Sequence, residues 1–169
     1  MRSQFTTANA GNVISESELM CYSRHGVDAL SSVSATDYSQ SEGEVCGVAV
    51  EGSMHTTLAV DVIKGFYCDW PRFEDEDFIM TAGSFRPLED AFRIAHTQLV
   101  YWLAADVGLS VLDAYQLVSQ TARSPIANVV DTNYTVLAKF PKRYLPSDLV
   151  VMGGAHARLR KLGAAHLAN

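Results

Sequence analysis

The side chains best suited to chemistry in this chain are carboxylates. Asp37, Glu42 and Glu44 lie close together in a segment that also holds Gly43 and Gly47. Oxygen groups of this kind can hold a hard cation or take a proton from water. The histidines do not complete such a set by spacing. His25, His55, His96, His156 and His166 are scattered, with no His-x-His or His-Glu-x-x-His pattern, so any cluster has to be made by folding. His55 follows the Gly52-Ser53 turn and is the histidine best placed to approach Asp37. Cys21, Cys46 and Cys68 match neither a zinc ribbon nor a Cys-x-x-Cys redox motif, and Cys46 reads as a small apolar residue inside a strand. No Ser-Lys-Ser pattern, Gly-x-Ser-x-Gly elbow or glycine-rich phosphate loop occurs, so no nucleotide or organic cofactor is expected.

The composition narrows the partners. Thirteen Lys and Arg against nineteen Asp and Glu give a net charge of -6, the wrong sign for a protein that must neutralise phosphates, and nucleic acid is not an expected partner. A hydrophobic fraction of 48% supports a core. No apolar run approaches the roughly 18 residues that cross a bilayer, so no membrane association is expected. Arg2 is followed by Ser3, Gln4, Thr6 and Thr7 rather than an apolar segment. A cytoplasmic protein with reduced thiols is the expectation.

Stepping outward from the carboxylates, β-branched residues on either side of Gly52-Ser53 predict a hairpin, Glu44 to Val50 and Thr56 to Lys64. Residues 69–77 read as an acidic, proline-containing loop, and Phe78 to Ala82 as a short strand. Pro87 with Glu89 and Asp90 starts a helix. Its apolar face is Leu88, Ala91, Phe92, Ala95, Leu99, Trp102 and Leu103 at three- and four-residue steps, and Gly108 ends it. Ser110 and Asp113 cap a second helix carrying Val111, Ala114, Tyr115 and Val118. Strand character returns at Ile126 to Val130 and Tyr134 to Phe140 around an Asp131-Thr132-Asn133 turn, with Val129 and Val130 expected in the core, and a last helix spans Ala155 to Leu167. The order predicts an α+β fold, a β-rich, sandwich-like sheet with a two-helix hairpin on one face. Residues 1–150 form the domain and 151–169 a helical tail.

Two stretches resemble the acetamidase/formamidase family. Asp28 to Gly47, DALSSVSATDYSQSEGEVCG, is similar without a gap to the family segment G-A-L-x-S-x-G-D-x-H-x-x-x-G-D-G-E-x-C-G. Phe78 to Leu145 resembles the family's C-terminal pattern of strand, amphipathic helix, G-L-S-x-x-x-A-Y and V-V-D before a last strand and proline; Gly11-Asn12 stands where the family has G-G-N-x-D. The resemblance implies the C-terminal half of a longer fold. It implies hydrolysis of carbon–nitrogen bonds in small linear amides, with a carboxylate and a divalent metal, zinc or calcium, assisting water attack. Glu44 and Glu42 are then the catalytic candidates, and Asp37, Glu42, Glu44 and His55 the metal candidates. The match also exposes departures, because Ala35 stands at the motif's Asp and Asp37 at its His. The alternative is therefore a noncatalytic half-length relative that binds a partner. Either reading implies a homo-oligomer, or pairing with a chain that supplies the missing half.

Overall fold

The computed structural model describes residues 20–22, 36–39, 41–48, 50–52 and 61–167. In chain order the strands are β1 (Met20–Tyr22), β2 (Thr36–Ser39), β3 (Val50–Gly52), β4 (Arg72–Glu74) and β5 (Phe78–Phe85). Helices α1 (Leu88–Val107) and α2 (Val111–Thr121) follow, then β6 (Ile126–Asn128), β7 (Tyr134–Pro141) and helix α3 (Ala155–Leu167). Five strands make one antiparallel sheet in the order β1-β4-β5-β7-β6, and β2 with β3 make a separate two-stranded sheet. The α+β class holds among the described residues.

The centre of the sheet is the β5–β7 pair, in register from Phe78↔Pro141 to Phe85↔Tyr134. Helix α1 lies across both strands, and α2 packs on α1. Most of the predicted face of α1 is buried: Ala91, Ala95, Leu99, Trp102 and Leu103 face inward, and the last four join Ile79, Ala114, Val118, Ala138 and Phe140 in one core cluster. Phe92 on α1 and Val111 and Tyr115 on α2, expected on the apolar faces, are exposed instead, because they lie at the edges of faces that only the sheet and the facing helix cover. Full burial of a side chain such as Leu99 or Phe140 contributes about 1.5–3 kcal/mol. The approach of α1 to β5 is very close. A Cβ at Gly83 would lie 2.2 Å from the Ala91 carbonyl oxygen, so only glycine admits the helix there. Beside it, the buried Thr81 hydroxyl donates to the Ala95 carbonyl at 2.7 Å, satisfying a polar group that has no access to water.

Both predicted helix ends have their expected chemistry. Gly108 takes the left-handed conformation at φ 74° and its N–H donates to Ala104, and the Ser110 hydroxyl accepts from the Asp113 N–H at 3.1 Å. The final helix occupies its predicted span, Ala155–Leu167. Val151, just before it, belongs to the main core cluster, and Leu145, Leu149 and Met152 pack against that cluster. No helix among the described residues is long and apolar enough to cross a membrane.

Other expectations are corrected as well. The expected strand Glu44 to Val50 is not extended over residues 44–48: residues 41–47 are turns and bends, and Val50 opens β3, which pairs with β2. Thr56 to Val60 lies outside the described residues, and residues 61–64 have no strand pairing. Gly43 and Gly47 take positive φ, 85° and 71°, which breaks the extended path that the β-branched neighbours favour. Cys46 accordingly sits exposed in a turn, not packed in a strand. The acidic loop at 69–77 contains β4, whose Phe73 and Glu74 are buried. Val130 is exposed and Val129 half-buried rather than core, because the chain turns away from the sheet after Asn128.

Candidate active site

A bulge in the sheet creates the polar centre nearest the expected residues. Ile126 pairs with Val136, yet Asn128 pairs with Thr135, so β6 carries one residue more than its partner there. Strict alternation would place Asn128 on the exposed face of Ile126. The bulge breaks that parity and turns both Ala127 and Asn128 inward, Asn128 to 3% exposure; bulges re-aim side chains in this way.

All four hydrogen-bonding positions of the Asn128 amide are used. Its oxygen accepts from the backbone N–H groups of Val130 and Asp131, each at 3.1 Å. Its nitrogen donates to Glu44 Oε2 at 2.7 Å and to Asp131 Oδ2 at 3.0 Å. Two donors and two acceptors are the full capacity of the group, which fixes its orientation. Asn128 thus joins carboxylates separated by 87 positions' worth of chain folding rather than by local sequence, across a contact of 84 residues to Glu44. Arg86 adds positive charge nearby, donating to the Asp131 carbonyl at 3.1 Å and lying over the Tyr134 ring at 4.3 Å.

The turn that carries Glu44 is built to reach this amide. Gly43 and Glu44 are successive residues with positive φ, 85° and 43°. That conformation costs a non-glycine residue about 1–2 kcal/mol, and such outliers collect where surrounding contacts hold them for a purpose. Here the holding contacts are the Glu44–Asn128 bond and the Val129 N–H donated to the Gly43 carbonyl at 2.9 Å.

The sequence candidates separate. Glu44 converges with Asp131 on Asn128 and is half-buried. Glu42 is exposed and lines an open cleft of about 390 Å3 with Gly43, Val45, Ser124, Pro125, Ile126 and Val129. The backbone of Asp37 is in β2, opposite Glu51, while the Asp37 side chain, Ala35 and His55 lie outside what is described. The described residues by themselves do not fit a divalent metal. Glu44 and Asp131 meet on an amide N–H2, which is a donor and not a ligand, and no group of three or more His, Cys, Asp or Glu suited to a metal ion occurs among the described residues. Asn128 is the member that sequence reasoning passed over. Its signal was the Asn-x-x-Asp spacing of a side-chain turn, read only as the turn started by Asp131.

A larger cleft of about 670 Å3 lies elsewhere, between α3 and the 142–151 connection. Buried Glu74 accepts there from Lys142 Nζ at 2.7 Å, with His156 Nδ1 at 3.9 Å. It contains none of the predicted site residues. An acid buried with its cationic partner is a structural ion pair first, and this one ties the chain entering α3 back to β4.

No protein-family profile matches the chain, and no curated protein matches it. Among solved structures it is similar to an acetamidase from Yersinia enterocolitica, with 48% identity and a TM-score of 0.64 over 66% of this chain and 34% of that one. An acetamidase from Bacillus halodurans (24% identity, TM-score 0.60, 64% of this chain and 37% of that one) shares the fold. So does a predicted acetamidase/formamidase from Thermoanaerobacter tengcongensis (24%, TM-score 0.55, 63% and 36%). The resemblance read from the sequence therefore holds in three dimensions. The chain spans about a third of the length of these solved relatives.

Proposed function

We propose that this chain, kin by sequence and fold to acetamidase/formamidase structures, contributes to hydrolysis of the carbon–nitrogen bond in small linear amides. The observation that carries the reading is the 48% identity to an acetamidase over 66% of the chain; the Glu44–Asn128–Asp131 centre supports it. An amide carbonyl is a poor electrophile, so water must be deprotonated as it attacks and the leaving nitrogen must receive a proton. Glu44 is the base in this proposal. Asn128 occupies Oε2, which fixes the carboxylate and leaves Oε1 as the oxygen to meet a water. The proton taken from water then passes to the departing amine. Arg86 supplies positive potential beside the centre, which favours the oxyanion of the tetrahedral intermediate. Glu42, on the rim of the neighbouring cleft, is the second carboxylate. Zinc or calcium would need Asp37 and His55 to complete a ligand set with Glu42 and Glu44. A homo-oligomer, or a partner supplying the rest of the family's length, completes the proposal.

The second reading, a noncatalytic relative, draws on Ala35 and Asp37 at the motif's acid and imidazole positions. Ammonia release from formamide and acetamide separates the two, measured on the purified chain with and without zinc and again with the N-terminal half of an acetamidase added. Hydrolysis in any arm, reduced about a hundredfold or more in Glu44→Gln, supports the amidase. No release in every arm leaves the noncatalytic reading.

A further inference from the structure

Ser124, in the wall of the cleft beside Glu42, belongs to a second arrangement that the carboxylate reading does not use. His96, on α1, places Nδ1 2.8 Å from the Phe92 carbonyl oxygen and Nε2 2.9 Å from the Ser124 hydroxyl. A carbonyl only accepts, so Nδ1 carries the hydrogen and Nε2 presents its lone pair. The Ser124 hydroxyl then donates to it, which is the relation of a nucleophile to its general base, with a third group fixing the imidazole from behind.

His96 stands on helix α1, and Ser124 in the connection from α2 to β6. The residue before His96 is Ala95, fully buried, whose carbonyl accepts from Thr81 at 2.7 Å. The Phe92 ring stacks on the imidazole, centroids 3.8 Å apart. Ser124 is held from both sides: Arg123 exchanges two backbone hydrogen bonds with Lys139, 2.9 and 2.8 Å, and the Pro125 carbonyl accepts from Leu137 at 3.0 Å. A packed helix fixes His96 better than a loop would, and the backbone bonds on either side of Ser124 restrain the connection that carries it. Burial lowers the His96 pKa, opposed by its bond to Phe92, and so favours the neutral ring, the form a base requires. Ser124 itself is exposed and lines the cleft.

We infer that Ser124 and His96 form a nucleophile–base pair that accepts an acyl group from a short, uncharged ester or activated amide bound in the cleft between residues 42–45 and 124–129. His96 Nε2 takes the hydroxyl proton as Ser124 Oγ bonds to the carbonyl carbon. The leaving alcohol or amine departs with that proton as its bond to carbon breaks, and water cleaves the Ser124 ester with His96 relaying the proton again. Val45, Pro125, Ile126 and Val129 offer apolar walls, whereas Glu42 on the rim disfavours anions. The volume of about 390 Å3 lies at the small end of ligand sites.

The test is covalent labelling of the full chain with phenylmethylsulfonyl fluoride, followed by intact mass and peptide mapping, with 4-nitrophenyl acetate hydrolysis in parallel. One adduct on Ser124 is expected, absent in Ser124→Ala. The labelling rate should fall about a hundredfold in His96→Gln. His96→Phe, which keeps a ring against Phe92, should show the same loss with the melting temperature as the control for folding. Adducts confined to other residues, an undiminished rate in both His96 variants, or no adduct on the folded chain would each overturn the inference. Labelling requires no amide turnover, so its outcome is independent of the ammonia assay.

Discussion

The helix-covered sheet of residues 78–141 and the turn of residues 41–48 meet at Asn128, but different interactions hold them. In the first, apolar side chains at regular spacing bury one another: Leu99, Trp102, Leu103, Val136 and Phe140 are all but inaccessible, and the capped helices extend the same logic to their ends. In the second, Val45 and Val48 are more than 70% exposed, the backbone takes positive φ at three of five successive residues, 43, 44 and 47, and position is set by a few polar bonds to β6 and the residues after it. Burial makes the scaffold stable without regard to any single bond. The turn depends on individual bonds, which lets it hold a carboxylate in a strained conformation.

That contrast can be broken most forcefully at Gly83. Its substitution by alanine drives a Cβ into helix backbone, with no flexible side chain to yield. Gly83→Ala should cost about 3 kcal/mol or more, read as a lowered urea midpoint. A near-neutral result would show that α1 is less closely seated on β5 than a 2.2 Å approach to the Ala91 carbonyl oxygen requires. Next in size is Asn128→Ala, which leaves two backbone N–H groups and two carboxylates without the amide they share. About 2 kcal/mol of stability should be lost, and hydrogen exchange should accelerate at Val130 and Asp131 while α1 stays protected. If α1 loses protection equally, the two regions are one cooperative unit.

The smallest effect sharpens the account of the turn. Glu44→Ala and Glu44→Gly remove the same bond to Asn128, but only glycine relieves φ 43°. The glycine variant should be the more stable of the two by about 1 kcal/mol, measured by thermal or urea unfolding. The opposite order would mean that the backbone strain is not present in the folded chain.

These regions also differed in how far sequence could describe them. The periodicity of Leu88 to Leu103, the stop at Gly108, the cap at Ser110 and the span of the last helix were legible because each is a local rule: side chains three or four apart share a face, and termini need specific partners. The strand β4 was not legible within an acidic, proline-containing run, since its place comes from pairing with β1 and β5 on both sides. For the site, Glu44 could be singled out by its resemblance to a family motif, but neither the turn that carries it nor its partner could.

What residue order alone determined is the α+β class, the helix pair and the set of carboxylates available for chemistry. Only tertiary structure decided which acid would be held and by what. One extra residue in β6 reverses the direction of Asn128, and that reversal joins Glu44 to Asp131. The same is true of His96 and Ser124, brought to 2.9 Å by the seating of α1 and the pairing of residue 123 with β7. A register shift and a helix docking are long-range events, and the energies that select them are sums over the whole core rather than properties of any short segment.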